Sequence, residues 1–208
     1  MTVERTRLAV PALTLAPRLL GAVLVSAVGG EDVAVRLTEV EAYEGVDDPA
    51  SHAFRGRTNR TAVMFGPPGH LYCYFTYGMH WCANVVCGPD GTAAAVLLRA
   101  GEVVDGLPVA RARRPAAKRD ADLARGPARL ATCLGLGAAT NGVDLFDPGS
   151  PVRLAAVASR RPRGVQAGPR VGISAAADRL WRFWLADEPS VSAYKAGTRA
   201  TRGHRPAD

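Results

Sequence analysis

Val33-Ala-Val-Arg-Leu-Thr-Glu-Val-Glu-Ala-Tyr43 decides the fold, because it alternates along its whole length and ends in residues that carry chemistry. A period of two is that of a strand. It puts Val33, Val35, Leu37, Glu39 and Glu41 on one face and Ala34, Arg36, Thr38, Val40 and Ala42 on the other. Glu41 on this reading shares a face with aliphatic side chains. A carboxylate presented from an apolar face is costly to desolvate, so it needs a partner or a task. The same segment then supplies an aromatic ring at Tyr43 and an imidazole at His52.

Upstream, the apolar runs Ala22 to Val28 and Val33 onward flank Gly29-Gly30, a pair that permits positive φ, and the three read as a hairpin delivering Glu41. Leu13 to Leu20 fits a short helix if Pro17 falls in its first turn, and residues 1–11 read as a flexible lead-in. Downstream, Arg55-Gly-Arg-Thr-Asn-Arg60 is basic and aperiodic, a loop that is either a solvated turn or a phosphate contact. Leu71 to Phe75 and His80 to Val86 form a second hairpin with Tyr77 at its tip; Tyr72 and Tyr74 share one face, and Leu71, Cys73 and Phe75 the other. A tip tyrosine either folds back on its own strands or wedges between bases. Base stacking on an aromatic ring contributes about 1–3 kcal/mol.

Ala93 to Ala100 is a third apolar strand interrupted by Arg99, whose guanidinium must meet a carboxylate, carbonyl or substrate; Glu41 is the expected partner. Ala110 to Leu123 is basic and helix-compatible. Gly126-Pro127 introduces a helix over residues 128–134, and Pro at the first helical position leaves an amide cluster suited to phosphate. Residues 151–158, 171–174 and 181–185 read as shorter strands, and 196–208 as a disordered basic tail.

A chain of 208 residues can build one substantial core. The net charge of +7 is unevenly placed. Residues 1–100 hold 8 Lys and Arg against 9 Asp and Glu, and the remainder 18 against 10, so the second half carries the excess. Only Lys118 and Lys195 are lysines; the rest is guanidinium, which pairs well with phosphate oxygens and points to a polyanionic partner. Cys73, Cys82, Cys87 and Cys133 have no Cys-x-x-Cys spacing and no histidine at ligand intervals, so no structural metal is expected; three of the four lie in apolar strand-like runs, where a buried reduced thiol is expected, and no cofactor is expected. No apolar run approaches ~18 residues and no signal peptide is evident, which predicts a cytoplasmic, nucleoid-associated protein without a membrane partner.

Taken together, several separated segments resemble one family, the alkyladenine (methylpurine) DNA glycosylases. They are Leu19-Leu-Gly, Glu39-Val-Glu-Ala-Tyr43 with His52, Gly69-His-Leu-Tyr-Cys-Tyr-Phe-Thr-Tyr-Gly-Met79 with Asn84, Leu97-Leu-Arg99, Gly126-Pro127 and Arg170-Val-Gly172, within residues 12–195. The resemblance implies a single compact α+β domain with a curved, mostly antiparallel sheet, a protruding β-hairpin and surrounding helices. It implies a metal-independent enzyme, acting as a monomer on double-stranded DNA containing damaged purines, that hydrolyses the N-glycosidic bond of alkylated or deaminated purines. Glu41 resembles the family's general base for water; Arg99 and the backbone carbonyl of Val171 would help hold that water. Tyr43, His52 and Tyr74 resemble the residues that sandwich the extruded base, Asn84 one that crowds the guanine amino group, and Tyr77 the side chain that fills the gap in the duplex. DNA contacts are expected at Arg57, Asn59, Arg60, Met79 and Gly126. With no lysine at a motif position, a monofunctional glycosylase is expected. The competing readings are a non-catalytic DNA-binding module and an RNA- or nucleotide-processing enzyme on a related fold.

Overall fold

The sheet grows outward from the alternating segment, β2 (Val33–Tyr43), on both its edges. The computed structural model describes residues 4–76, 78–157 and 161–197. In chain order these form α1 (Ala12–Leu19), β1 (Val23–Ser26), β2, β3 (Leu71–Thr76), β4 (His80–Val86), β5 (Ala95–Asp105), α2 (Leu107–Arg113), α3 (Pro127–Leu134), β6 (Val152–Ala156), β7 (Val165–Gly168) and β8 (Arg182–Leu185). All pairings are antiparallel, in the order β3-β4-β5-β2-β1-β6. One edge of β2 belongs to β5. Its other edge is divided, β1 pairing with Val33 to Arg36 and β8 with Glu39 to Glu41, while β7 extends β8. Dividing one edge between two strands curls the sheet into a half-barrel, and with three helices packed against it the chain is a single α+β domain.

The division falls at a break in the alternation. Leu37 pairs with Gly101, Glu39 with Ala100 and Val40 with Leu98, so Thr38 is an extra residue on β2 and Arg99 an extra residue on β5. Such bulges re-aim side chains. The core takes Val33, Val35 and Leu37 before the break but Val40 and Ala42 after it, with Val96, Leu98 and Ala100 from β5. Glu39 and Glu41 therefore stand on the face opposite Val33, Val35 and Leu37, contrary to the uninterrupted alternation expected from sequence. Gly101 makes the crossing possible. A Cβ there would lie 2.3 Å from Val35 Cγ1 and 2.6 Å from the Arg36 carbonyl.

The hairpin β3–β4 follows its local pattern. Leu71 and Cys73 enter the main core, while Tyr72 and Tyr74 join a second apolar cluster with Met64, Val86 and Ala95 on the other face. Elsewhere the structure corrects the sequence reading. Pro17 lies in the second turn of α1, not the first. The helix expected over 110–123 is replaced by α2, which ends at Arg113 before Pro115 and gives way to turns. Residues 171–174 are bent, with Gly172 at φ +73°, and the strand of this region is β7 instead. Arg5 to Leu8, assigned to the flexible lead-in, makes a 3-10 turn whose Leu8 is fully buried and whose Arg5 pairs with Asp144 at 2.6 Å. Tyr77 and residues 198–208 of the expected tail lie outside the described residues.

Candidate active site

The two carboxylates that β2 turns away from the core form the floor of the site, and both are fully buried. Glu39 is saturated with donors. Its Oε1 accepts from Arg99 Nε at 2.8 Å, Arg182 Nε at 2.7 Å and Ser192 Oγ at 2.9 Å, and its Oε2 from the Ser192 amide at 2.7 Å. Glu41 has fewer. The Val171 amide donates to its Oε1 at 2.7 Å, the Tyr43 hydroxyl to its Oε2 at 2.9 Å, and Arg99 Nη1 stands 3.3 Å from Oε1.

This difference separates their acidities. Burial pushes the Glu39 carboxyl up, but Arg99, Arg182 and the Ser192 amide outweigh it, and its pKa lies below the ordinary value. For Glu41 burial wins over Arg99, the Val171 amide and the Tyr43 hydroxyl, and its pKa is raised. Burial lowers that of Arg99 but the two carboxylates more than restore it, so the guanidinium stays charged. Two carboxylates whose surroundings drive their pKa values apart are a recurring sign of divided acid–base roles.

Above this floor lies a cavity of about 420 Å³, within the range of small-ligand pockets. Tyr43, His52, Tyr74 and Asn84, all expected from sequence, line it together with Arg99 and Val171. Glu41 does not line it, but is covered by Tyr43, Arg99 and Val171, which do. Val171, whose carbonyl was expected to help hold the water, meets Glu41 through its amide. His52 Nδ1 shares a hydrogen bond with Tyr72 Oη at 3.2 Å, and its ring meets that of Tyr74 edge-on at 4.5 Å. Burial, then the charge of Arg60, hold its imidazole below the ordinary pKa. Asn84 donates its amide to the Tyr72 carbonyl at 3.1 Å.

Behind the Tyr43 wall, Arg170 is fully buried. Its guanidinium stacks 4.6 Å from the Tyr43 ring centroid and 4.9 Å from that of Trp181, pairs with Asp48 through both nitrogens, and donates to the Ala42 carbonyl at 2.9 Å. It thereby fixes the ring of Tyr43 and the backbone that delivers Val171.

The expected DNA contacts are distributed around the mouth. Arg60 sits over the Tyr74 ring at 5.6 Å, whereas Arg57 and Asn59 are exposed just before it and do not line the cavity. Met79, 68% exposed, ends the β3–β4 hairpin, and Gly126 at φ +110° precedes α3, whose Pro127 and Ala128 line the cavity. A second groove of about 590 Å³ adjoins at His80 and Ala128 and is bordered by Arg114, Lys118 and Arg129, with Asp122 among them. Sequence reasoning missed Glu39, Arg182, Ser192 and Tyr72. Glu39 and Tyr72 carried a signal, since each lies two residues from a named residue and so on its face; Arg182 and Ser192 carried none.

An aromatic-walled cavity over a buried carboxylate and guanidinium thus opens beside a groove bordered by basic side chains. Comparisons with known proteins give the class of protein to which this site belongs. Residues 6–189 match the family model described as methylpurine-DNA glycosylase (MPG), and the chain belongs to this family. It is 60% identical over 193 residues to a protein of Nocardia farcinica, covering 90% of this chain and 89% of the relative. A Streptomyces avermitilis relative is 52% identical over 194 residues (92% and 91%), and a Mycobacterium tuberculosis relative 52% over 198 (93% and 94%). All three carry the name "Putative 3-methyladenine DNA glycosylase".

Proposed function

We propose that this chain removes alkylated purines from duplex DNA by hydrolysing their N-glycosidic bond with a water whose proton is taken by Glu41. The observation that carries this reading is the aromatic cavity lying directly over the buried Glu41–Arg99 floor. A duplex hides the glycosidic carbon, so the nucleotide must leave the stack, at a cost of a few kcal/mol that is least for damaged bases. Stacking on Tyr43 and Tyr74 offsets a cost of that size. A purine alkylated at N3 or N7 is cationic, which makes it a good leaving group and draws it to electron-rich rings.

The division of charge on the floor supports the catalytic step. Glu39 keeps Arg99 charged and in place, while Glu41, with its raised pKa, is the carboxylate better matched to accepting a proton near neutral pH. The groove bordered by the Arg114 and Arg129 guanidinium groups and the Lys118 ammonium gives phosphates a route past the mouth. No lysine is among the described residues lining the cavity, which supports base release without Schiff-base chemistry. Borohydride trapping of a covalent complex with DNA would overturn that part.

The test is release of base from duplexes carrying one 3-methyladenine, 7-methylguanine or hypoxanthine, comparing wild type with Glu41→Gln. Release by the wild type, slowed about 10²–10⁴-fold in the variant with duplex binding retained, is expected. Binding without release from any of the three assigns a non-catalytic DNA-binding module instead.

A further inference from the structure

The β3–β4 hairpin is held along its base and free toward its tip. β3 is an edge of the sheet, so only one of its sides is paired within the sheet, with β4. Its other side is met by residues 141–145. Leu145 donates to the Gly69 carbonyl at 2.9 Å, Leu71 to the Val143 carbonyl at 2.9 Å, and Gly142 to the Leu71 carbonyl at 2.7 Å. Residues 138–140 coil into a 3-10 turn, which ends this backbone ladder. One more rung is nevertheless made, because the Cys73 amide donates to the side-chain Oδ1 of Asn141 at 3.0 Å. Among the described residues, no group outside the hairpin is hydrogen-bonded to β3 beyond Cys73. The supporting segment is itself fixed at both ends. The Gly137 amide donates to Thr140 Oγ1 at 3.0 Å, and Asp144 pairs with Arg5 at 2.6 Å. Past the last rung the hairpin reaches solvent, with Phe75 and Met79 exposed.

Resting on the glycosylase reading above, with this hairpin as the element that enters the duplex, we propose that Asn141 is a positioning residue for nucleotide extrusion. Its carboxamide anchors the β3 edge at Cys73, one rung nearer the tip than the backbone bonds reach, so that the tip meets the base stack as a stiff wedge. A two-stranded ribbon is only marginally stable in water on its own, and its stiffness depends on how its base is held. Unpairing and unstacking a nucleotide is uphill, least so where the base is mispaired or unpaired. A ribbon that yields at its base loses part of that work to its own bending. Asn141 touches no substrate in this scheme; it acts through β3.

Asn141→Ala removes the anchor, and Asn141→Asp retains an acceptor at the same place. Extrusion is read by stopped-flow fluorescence of 2-aminopurine beside the lesion, at saturating protein, with whichever of 3-methyladenine, 7-methylguanine and hypoxanthine the wild type releases fastest. For a paired lesion Asn141→Ala should lower the extrusion equilibrium about three- to tenfold, the equivalent of one hydrogen bond. For the same lesion opposite an abasic residue, where less work is needed, the loss should stay below about twofold. Asn141→Asp should restore the wild-type value on the paired duplex. Equal loss on both duplexes, a loss that Asn141→Asp does not recover, or no loss at all overturns the proposal. Should Asn141→Ala not fold, Asn141→Ser takes its place with the same expected and overturning outcomes, since its shorter side chain stops short of the Cys73 amide and keeps the turn polar. No release by the wild type from any of the three lesions removes the glycosylase reading and the extrusion role together.

Discussion

Glu39 and Glu41 lie two residues apart on one face of one strand, equally buried, yet the protein treats them in opposite ways. Glu39 accepts four hydrogen bonds and is shared by two guanidinium groups. Glu41 accepts from one amide and one hydroxyl and shares Arg99 at a longer distance. Equal burial therefore does not mean equal charge stability; the number and closeness of donors decides. A carboxylate held firmly ionised is a structural counter-ion. One left under-compensated can take up a proton, which is what a base must do.

Removing the firm carboxylate should break this arrangement most. Glu39→Gln leaves Arg99 and Arg182 buried with too little negative charge, and breaking a buried pair on one side costs about 3–5 kcal/mol. Urea unfolding at pH 7 should show a loss of that size. The folded-state pKa of Glu39 is lowered, so its contribution is present above the unfolded-state pKa and is lost as pH falls through the folded one. The gap between wild type and variant should accordingly close in acid. A gap that stays constant with pH would mean that Glu39 matters by packing alone.

The same substitution at Glu41 should have the opposite sign. Its folded-state pKa is raised, so the ionised side chain destabilises the fold once pH exceeds the unfolded-state value. Arg99 keeps Glu39 when Glu41 is neutralised. Glu41→Gln should therefore gain stability at neutral pH, about 0.5–2 kcal/mol as for other substitutions that trade activity for stability, and the gain should vanish in acid, where wild-type Glu41 is protonated. Base release by the wild type should fall as pH drops through the same group, placing the acidic limb of its pH–rate profile above the ordinary carboxylate range. A limb at or below that range would assign the essential base elsewhere.

How far this contrast can be read from sequence depends on how local its causes are. The strand character of β2 and the tyrosine face of β3 follow from alternation over a few residues, and both are found. The face of Glu41 does not follow, because the bulge that turns it is shared with Arg99 on β5, a register that no local pattern contains. Glu39 was legible in part, since two carboxylates on one face require more cation than Arg99 alone. Arg182 and Ser192, more than 140 residues from Glu39, and Arg170, 122 residues from Asp48, were not. Val171 was placed at the site by resemblance. Its amide reaches Glu41 next to the bend at Gly172, where a strand was expected.

The smallest expected effect tests whether distance or surroundings give Glu39 its importance. Arg111 and Asp120, joining α2 to the turns beyond it, approach to 2.8 Å, the same separation as Arg99 and Glu39. Their side chains are 62% and 51% exposed, against 6% and 0% for the buried pair. In water two such charges are screened, each can be solvated separately, and holding two long side chains together costs entropy. Asp120→Asn should therefore change stability by about 0–1 kcal/mol, and the change should shrink with added salt. A loss as large as that of Glu39→Gln would make ion-pair geometry the deciding factor. It would also mean that Glu41 differs from Glu39 for a reason other than how burial and donor number combine around each.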